Sequence, residues 1–576
     1  MTDPLVTAAP GPRRALLAVA SVAVALAAAD IYIVVLALTD MMAGVGIGIE
    51  ALQEATPIIS GFLLGYVAAL PLIGHLSDLL DRQRILLACL AIFVVGSAVT
   101  ALAVDLPVLV GGRVLQGLGG GGLVPATLAL VADLWPVGRR GTPFGVVGAV
   151  QELGSVLGPL LGAAILAWSG WRAIFWANVA AGIILYAAVL SCGGRRTPGD
   201  RRPSSVGAAT SAVLGLGLGG LALAAPERLV TDVTLGVPFI PLVGQSRVLT
   251  PIGLVALGLL AVAAGVTARR WWPVLRRADL LGAVLVAVAL GALVLTFASS
   301  DPEREVVGPI GVVLLPVGVL AVVVLAWWHR RAPAPLIPRG VVHGLGLRAQ
   351  VVSLLVGAAL VAVVVDVPLL ARLTLTRDET GAALVLVRFL LAVPVGALLG
   401  GLATRRFGDG PVAATGLTLA GAGMVAMSRW GPHSLDEAVG ASVVLVVVGL
   451  GMGLAIAPVN DAALADAPAS AHGVASALVV VARMVGMIVG LALLTSLGLH
   501  RYYAAVRRLP DPFDTDALIG AGVVQVQTVL FGGAVAALVA AALCLTLGTT
   551  RPPPRERSVR TQAPPVGPPR ARWRGR

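Results

Sequence analysis

Apolar runs, most of them near twenty residues, recur along almost the whole chain and are separated by short polar breaks. About 20 apolar residues carry an α-helix across ~30 Å of hydrocarbon. Backbone groups in lipid must be satisfied within the chain, so helices are the default. The two-residue alternation of a membrane β-barrel is missing. Sixteen runs are predicted to span, near residues 15–39, 57–77, 84–104, 107–134, 141–167, 171–190, 205–225, 249–268, 278–299, 307–328, 348–370, 380–403, 411–428, 440–462, 471–499 and 519–548. The predicted fold class is therefore an all-α integral membrane protein.

The polar breaks set an orientation. Arginines cluster in every second break: Arg82 and Arg84; Arg139 and Arg140; Arg195, Arg196, Arg201 and Arg202; Arg269, Arg270, Arg276 and Arg277; Arg330 and Arg331; Arg405 and Arg406. Acidic breaks such as Asp301-Pro-Glu303 alternate with them. Basic loops stay in the cytoplasm. Both termini are thus expected inside, with the first segment retained as a signal anchor in the cell membrane.

Composition sharpens the class. The chain is 58% hydrophobic and 12% charged over 576 residues, whereas soluble domains run near 45–50% and about 25%. All 41 basic residues are arginine, giving a net charge of +12. Because the arginines follow the membrane topology, they argue against a nucleic-acid partner. Cys89, Cys192 and Cys544 lie far apart in apolar surroundings, with no disulfide or metal spacing. No nucleophile elbow, metal-ligand cluster or nucleotide loop is visible. Neither a cofactor nor a bound metal is expected, and a membrane enzyme or sensor is the distant alternative.

Six charges lie inside apolar runs: Asp30, Arg113, Glu152, Asp366, Arg388 and Arg483. Each costs ~2.5–3.5 kcal/mol at membrane depth on insertion scales, so such residues mark pathways. With a rise of ~1.5 Å per residue, depth pairs Asp30 with Arg113, Asp366 with Arg388, and Glu152 with Arg483 near the midplane. These pairs are expected to carry proton coupling (Asp30, Arg113, Glu152, Arg483) and a secondary lock (Asp366, Arg388). Static pairs that only fix helix register are the competing reading.

Several motifs carry a resemblance. The break Gly74-His-Leu-Ser-Asp78-Leu-Leu-Asp81-Arg82 resembles the signature loop of the major facilitator superfamily. There the aspartate can cap a helix of the other half while the arginine pins the loop; Asp81 replaces the usual second glycine. Arg113-Val-Leu-Gln116-Gly117 resembles the second motif of that family. Gly148, Gly154, Gly158-Pro159 and Gly162 resemble the antiporter motif of its exporters, with small residues that let helices approach closely. Asp30, together with Trp171-Arg172, Phe175 and Asn178, resembles motifs of the fourteen-helix drug:proton antiporter branch. Gln151-Glu-Leu-Gly-Ser-Val-Leu-Gly-Pro159, His472-Gly-Val-Ala-Ser476 and Val-Val-Ala-Arg483-Met-Val-Gly-Met487 are similar to the mycobacterial triacylglyceride exporter family.

The resemblance implies two six-helix bundles, here joined by four linker helices rather than two. Residues 1–14 are then a cytoplasmic N-terminus, 15–190 the first bundle, 191–347 the linker with segments 7–10, 348–549 the second bundle, and 550–576 a disordered Arg/Pro-rich tail. It implies proton-coupled export of a lipophilic substrate, triacylglyceride or a related lipid, with protons, membrane lipid and a periplasmic lipid-carrying lipoprotein as partners. A proton-driven multidrug efflux pump is the alternative from the same branch.

Overall fold

The computed structural model describes residues 10–47, 52–136, 139–192, 206–232, 236–242, 246–275, 278–298, 309–333, 335–338, 341–375, 379–510 and 514–548. The Arg/Pro-rich linker at 193–205 and the tail from 550 lie outside the described residues. Sixteen long helices form: α1 Pro10–Gly44, α2 Leu52–Leu79, α3 Arg82–Leu102, α4 Leu106–Leu134, α5 Gly141–Trp168, α6 Arg172–Cys192, α7 Val206–Ala224, α8 Pro251–Leu275, α9 Leu280–Ala298, α10 Pro309–Arg331, α11 Gly344–Thr374, α12 Glu379–Phe407, α13 Asp409–Met427, α14 Ala438–Ala465, α15 His472–Val506 and α16 Thr515–Cys544. Among the described residues there is no β-strand.

Fifteen of these helices are long and apolar enough to cross a membrane. The remaining one, α9, is 19 residues long and carries a shorter apolar stretch, Leu280–Thr296. Short acidic caps start several helices. Asp81 accepts from the Arg84 N–H at 3.0 Å, Asp105 from Val108 at 2.9 Å, and Asp514 from Asp516 and Ala517. Each satisfies amide donors that the first helical turn leaves open.

Helices α1–α6 form one half and α11–α16 the other. In the first half α4 packs on α2 and α3, α1 on α5, and α3 on α6. The second half repeats this with α14 on α12 and α13, α11 on α15, and α13 on α16. Burial follows position: 83% of the α4 span is buried, against 11% of the α10 span. The outlying helix therefore meets lipid along most of its length. Linker helices α7 and α8 pair with each other and touch the rest chiefly through α3, whereas α9 pairs with α10 and lies along α2, reaching α15.

The halves meet along two seams, α2 with α15 and α5 with α12. Each seam is a bare backbone crossing. A Cβ added at Gly74 would meet the backbone of Gly473, and one at Gly401 that of Gly141 and Gly145. Only glycine permits so close an approach.

Candidate functional site

Asp30 is fully buried in α1 and is held by three side chains from two helices, α4 and α6. Arg113 Nη1 donates to its Oδ2 at 2.5 Å. Gln116 Nε2 donates to Oδ1 at 3.0 Å, and Asn178 Nδ2 to the same oxygen at 2.5 Å. Arg113 is 1% exposed. It also donates to Gln116 Oε1 at 2.7 Å and to the Ile58 carbonyl at 3.3 Å. The Phe62 ring lies 4.5 Å beneath its guanidinium. Gln116 completes the set by donating to Ser97 Oγ at 2.9 Å.

Local sequence explains how this network closes. Gly96 and Gly112 bring α3 and α4 into backbone contact, which presents Ser97 to Gln116; Gly117 does the same against Phe62 of α2. A buried charge is tolerated only when paired and hydrogen-bonded, and here the pair is satisfied from α1, α4 and α6.

Glu152 of α5 and Arg483 of α15 line one small cavity between the halves, with Gln151, Gly148, Ile456 and Asn460. Among the described residues no ion pair within 4 Å joins Glu152 and Arg483. The expected third pair is not assembled either. Asp366 is 2% exposed in α11, on the stripe with Val363, Val367 and Leu370 that faces the core of its own half. Arg388 sits one residue off the buried stripe of α12 that carries Val385, Phe389 and Ala392. The shared depth of Asp366 and Arg388 did not place them on facing stripes, and among the described residues no ion pair joins them.

At the seam end of the molecule Asp78 accepts from the N–H of Gly473 at 2.7 Å and of Val474 at 3.0 Å. It thus caps the first turn of α15 across the two halves, where the helix dipole favours an anion. Arg82 bonds to Asp78 Oδ1 at 3.0 Å, Ser77 Oγ at 2.9 Å and Asp133 Oδ2 at 2.9 Å. His472 Nδ1 stands 3.7 Å from Asp133. Gly74 provides the close approach at this crossing. Arg140 donates to the carbonyls of Ala132 and Trp135, at 2.7 and 2.9 Å, and closes the end of α4.

The glycines of α5 divide into two sets. Gly154 and Gly158 face the backbone of Ala25 and Ala29 in α1, and Gly162 faces Ile33. Gly148, by contrast, faces Ile456 of the other half. The side chain of Pro159 lies outside the described residues. Trp171 packs over Gly44, while Arg172 donates to the Ala103 carbonyl at 2.9 Å. Sequence reasoning left Gln116 and Asn178 as motif letters and did not include Ser97, Asp133 or Asn460. A glutamine three residues beyond a membrane arginine shares its helix face, which was the available signal for Gln116.

These elements agree with known proteins. The model of the Major Facilitator Superfamily matches residues 20–300. A protein of Mycobacteroides abscessus named triacylglyceride transporter is 38% identical over 494 residues, covering 84% of this chain and 82% of the relative. A triacylglyceride transporter of Mycolicibacterium smegmatis is 36% identical, covering 85% and 77%. One of Mycobacterium tuberculosis is 35% identical over 543 residues, with 90% of each chain covered. Among solved structures, a proton:xylose symporter superposes with a TM-score of 0.52 at 13% identity, covering 92% of this chain and 95% of its own. A fucose:proton symporter of E. coli gives 0.50 at 13% identity, covering 94% and 99%. At that identity the likeness speaks to the fold alone. Carrying this fold, and 35–38% identical to these transporters across most of its length, the chain belongs to the major facilitator superfamily and is a multi-pass membrane transporter.

Proposed function

We propose that this transporter is a proton-coupled exporter of lipophilic substrates, with triacylglyceride or a related lipid as cargo. The observation that carries the reading is the Asp30 cluster. A lone carboxylate at full burial is held by one guanidinium and two amides, so a single proton changes every bond it makes. In this reading, taking up a proton frees Arg113 and uncouples α1 from α4 and α6. Helix α1 is also the helix on which the Gly154 and Gly158 stripe of α5 rides, and α5 carries Glu152. Protonation of Asp30 is thereby transmitted to the cavity shared with Arg483, where Glu152 acts as an interdomain lock in the same reading. The lipid cargo is supported by the names of the relatives.

The Asp78 end is assigned to the cytoplasm of the cell membrane, since Arg82, Arg84, Arg139, Arg140, Arg330, Arg331, Arg405 and Arg406 gather there. Basic residues remain on that side. In this arrangement the glycine seams close the transporter to the cytoplasm, and Asp78 with Arg82 latches one of them. The test is purified protein in liposomes under an imposed proton gradient, with labelled triacylglyceride followed across the bilayer. Gradient-dependent movement that disappears in Asp30→Asn is expected. Extrusion of a lipophilic cation without lipid movement would replace the lipid reading by a drug pump. Lipid movement without a gradient would remove the proton coupling.

A further inference from the structure

The cavity between the halves contains more chemistry than the Glu152–Arg483 pair uses. Gln151 and Glu152 line it from α5, Asn460 from α14 and Arg483 from α15. Two polar side chains thus come from each half. Asn460 is 8% exposed, and the other three are partly buried. Among the described residues none of these four side chains makes a hydrogen bond. Buried polar groups in folded proteins nearly always have a partner, either protein or ordered water. Four that converge on one space without a protein partner point to a partner shared within it.

Size and charge select that partner. The cavity measures about 10 Å³, close to the ~10–15 Å³ that one water molecule needs. No headgroup or ester of a lipid fits such a space. A cation would stand against Arg483, and an anion against Glu152. A neutral molecule with two donors and two acceptors suits both. It donates to the Glu152 carboxylate, accepts from the Arg483 guanidinium and meets two amides that each donate and accept. The site also lies where the halves map onto each other. Gly154 of α5 lies on Ala25 as Gly486 of α15 lies on Leu354, and Gly117 of α4 on Phe62 as Gly449 of α14 on Phe389. In this register three pairs of lining positions match: Val124 with Ile456, Leu128 with Asn460, and Gln151 with Arg483. Transporters built from repeats keep their fixed sites at the repeat interface. We propose that one ordered water sits in this cavity and joins Glu152 to Arg483, held in place by the amides of Gln151 and Asn460. The contact between the halves is then water-mediated, which accounts for an acid and a base that line one space without an ion pair. Gln151 and Asn460 are positioning residues that fix the water. Its part in an interdomain lock rests on the role proposed for Glu152; its seat does not.

The test is a cryo-electron microscopy map of the unmodified full chain in lipid nanodiscs, sharp enough to show ordered water. A single peak is expected at roughly 2.7–3.2 Å from Glu152, Arg483 and at least one of the two amides. Infrared difference spectra between ordinary and oxygen-18 water should show the shifted O–H stretch of a strongly bonded water. Peak and band should both be lost in Gln151→Leu/Asn460→Leu, which leaves the charged pair intact. Direct contact of Glu152 with Arg483 and no peak between them would overturn the proposal, and that result needs no variant to fold. So would a peak that appears only with added sodium, or a band unchanged in the double variant. The peak in a protein that moves no lipid under a proton gradient would leave the water standing and remove the exporter reading. Gradient-driven lipid movement in a protein without the peak would do the reverse.

Discussion

Glycine contacts put the two halves of the transporter in register. Gly154 and Gly158 of α5 lie on Ala25 and Ala29 of α1, as Gly486 and Gly490 of α15 lie on Leu354 and Ala358 of α11. Gly117 and Gly121 of α4 lie on Phe62 and Tyr66, as Gly449 and Gly453 of α14 lie on Phe389 and Val393. In this register Asp30, Arg113 and Gln116 correspond to Ala359, Leu445 and Val448, all three buried and apolar. The backbone scaffold is repeated, but the polar cluster is built into one copy only. The charged network therefore sits in one half, and the other carries buried apolar residues at the matching positions. Arg483 corresponds to Gln151, so the midplane cavity receives its base from one half and its acid, Glu152, from the other.

The seams differ in the same way. The crossing of Gly74 on Gly473 corresponds to that of Gly401 on Gly141, and Ser77 to Thr404. Asp78, which caps α15, corresponds to the exposed Arg405. The α5 start has no side-chain cap from its N-cap residue, Arg140. One seam carries a charged cap; the other carries a neutral hydrogen bond, from Thr142 Oγ1 to the Gly401 carbonyl at 3.3 Å, beside its packing.

The sharpest challenge to this comparison exchanges its charges. Leu445→Arg places an unpartnered guanidinium in the apolar copy, and Arg113→Leu strands Asp30; each should cost ~3–5 kcal/mol, as for a broken buried pair. Folded yield and melting temperature in detergent report it. The double variant Asp30→Asn/Arg113→Leu should regain folding but not transport, whereas recovery of transport would remove the cluster from the mechanism. Next in size, Gly154→Leu and Gly486→Leu should destabilise alike, by ~1–3 kcal/mol from overpacking, because each drives a side chain into a neighbouring backbone. Unequal melting shifts would break the register. Smaller still, Asp78→Asn should weaken a cap worth about 0.5–2 kcal/mol and raise the labelling of a cysteine placed at Ser476. Arg405→Asp should slow opening of the second seam in the same assay. Smallest is Arg388→Gln, expected within ~0.5 kcal/mol as for a change away from any paired feature.

Much of this was legible in the sequence because lipid enforces length and charge so strictly. Fifteen of the sixteen expected spans and the contact of Asp30 with Arg113 follow from hydropathy and depth. Depth is one coordinate, however, and rotation about the helix axis is another. Asp366 and Arg388 share a depth but not a face, which no single-chain pattern with such even hydrophobicity could reveal. The division of the α5 glycines was hidden for the same reason: Gly148 and Gly154 look alike in sequence but address different halves. Asn178 depends on the angle at which α6 crosses α1, and that angle is set by tertiary packing.

At their closest points the two seams bring peptide backbone against peptide backbone. A joint of interlocked side chains must find new rotamers each time it parts and meets, and each passage exposes apolar surface to water. Crossings such as Gly74 on Gly473 have no rotamers to lose and little apolar area to wet. Such a crossing leaves few side chains to repack if it parts and meets again. The hydrogen bonds that Asp78 accepts from Gly473 and Val474 are the charged contacts at that crossing.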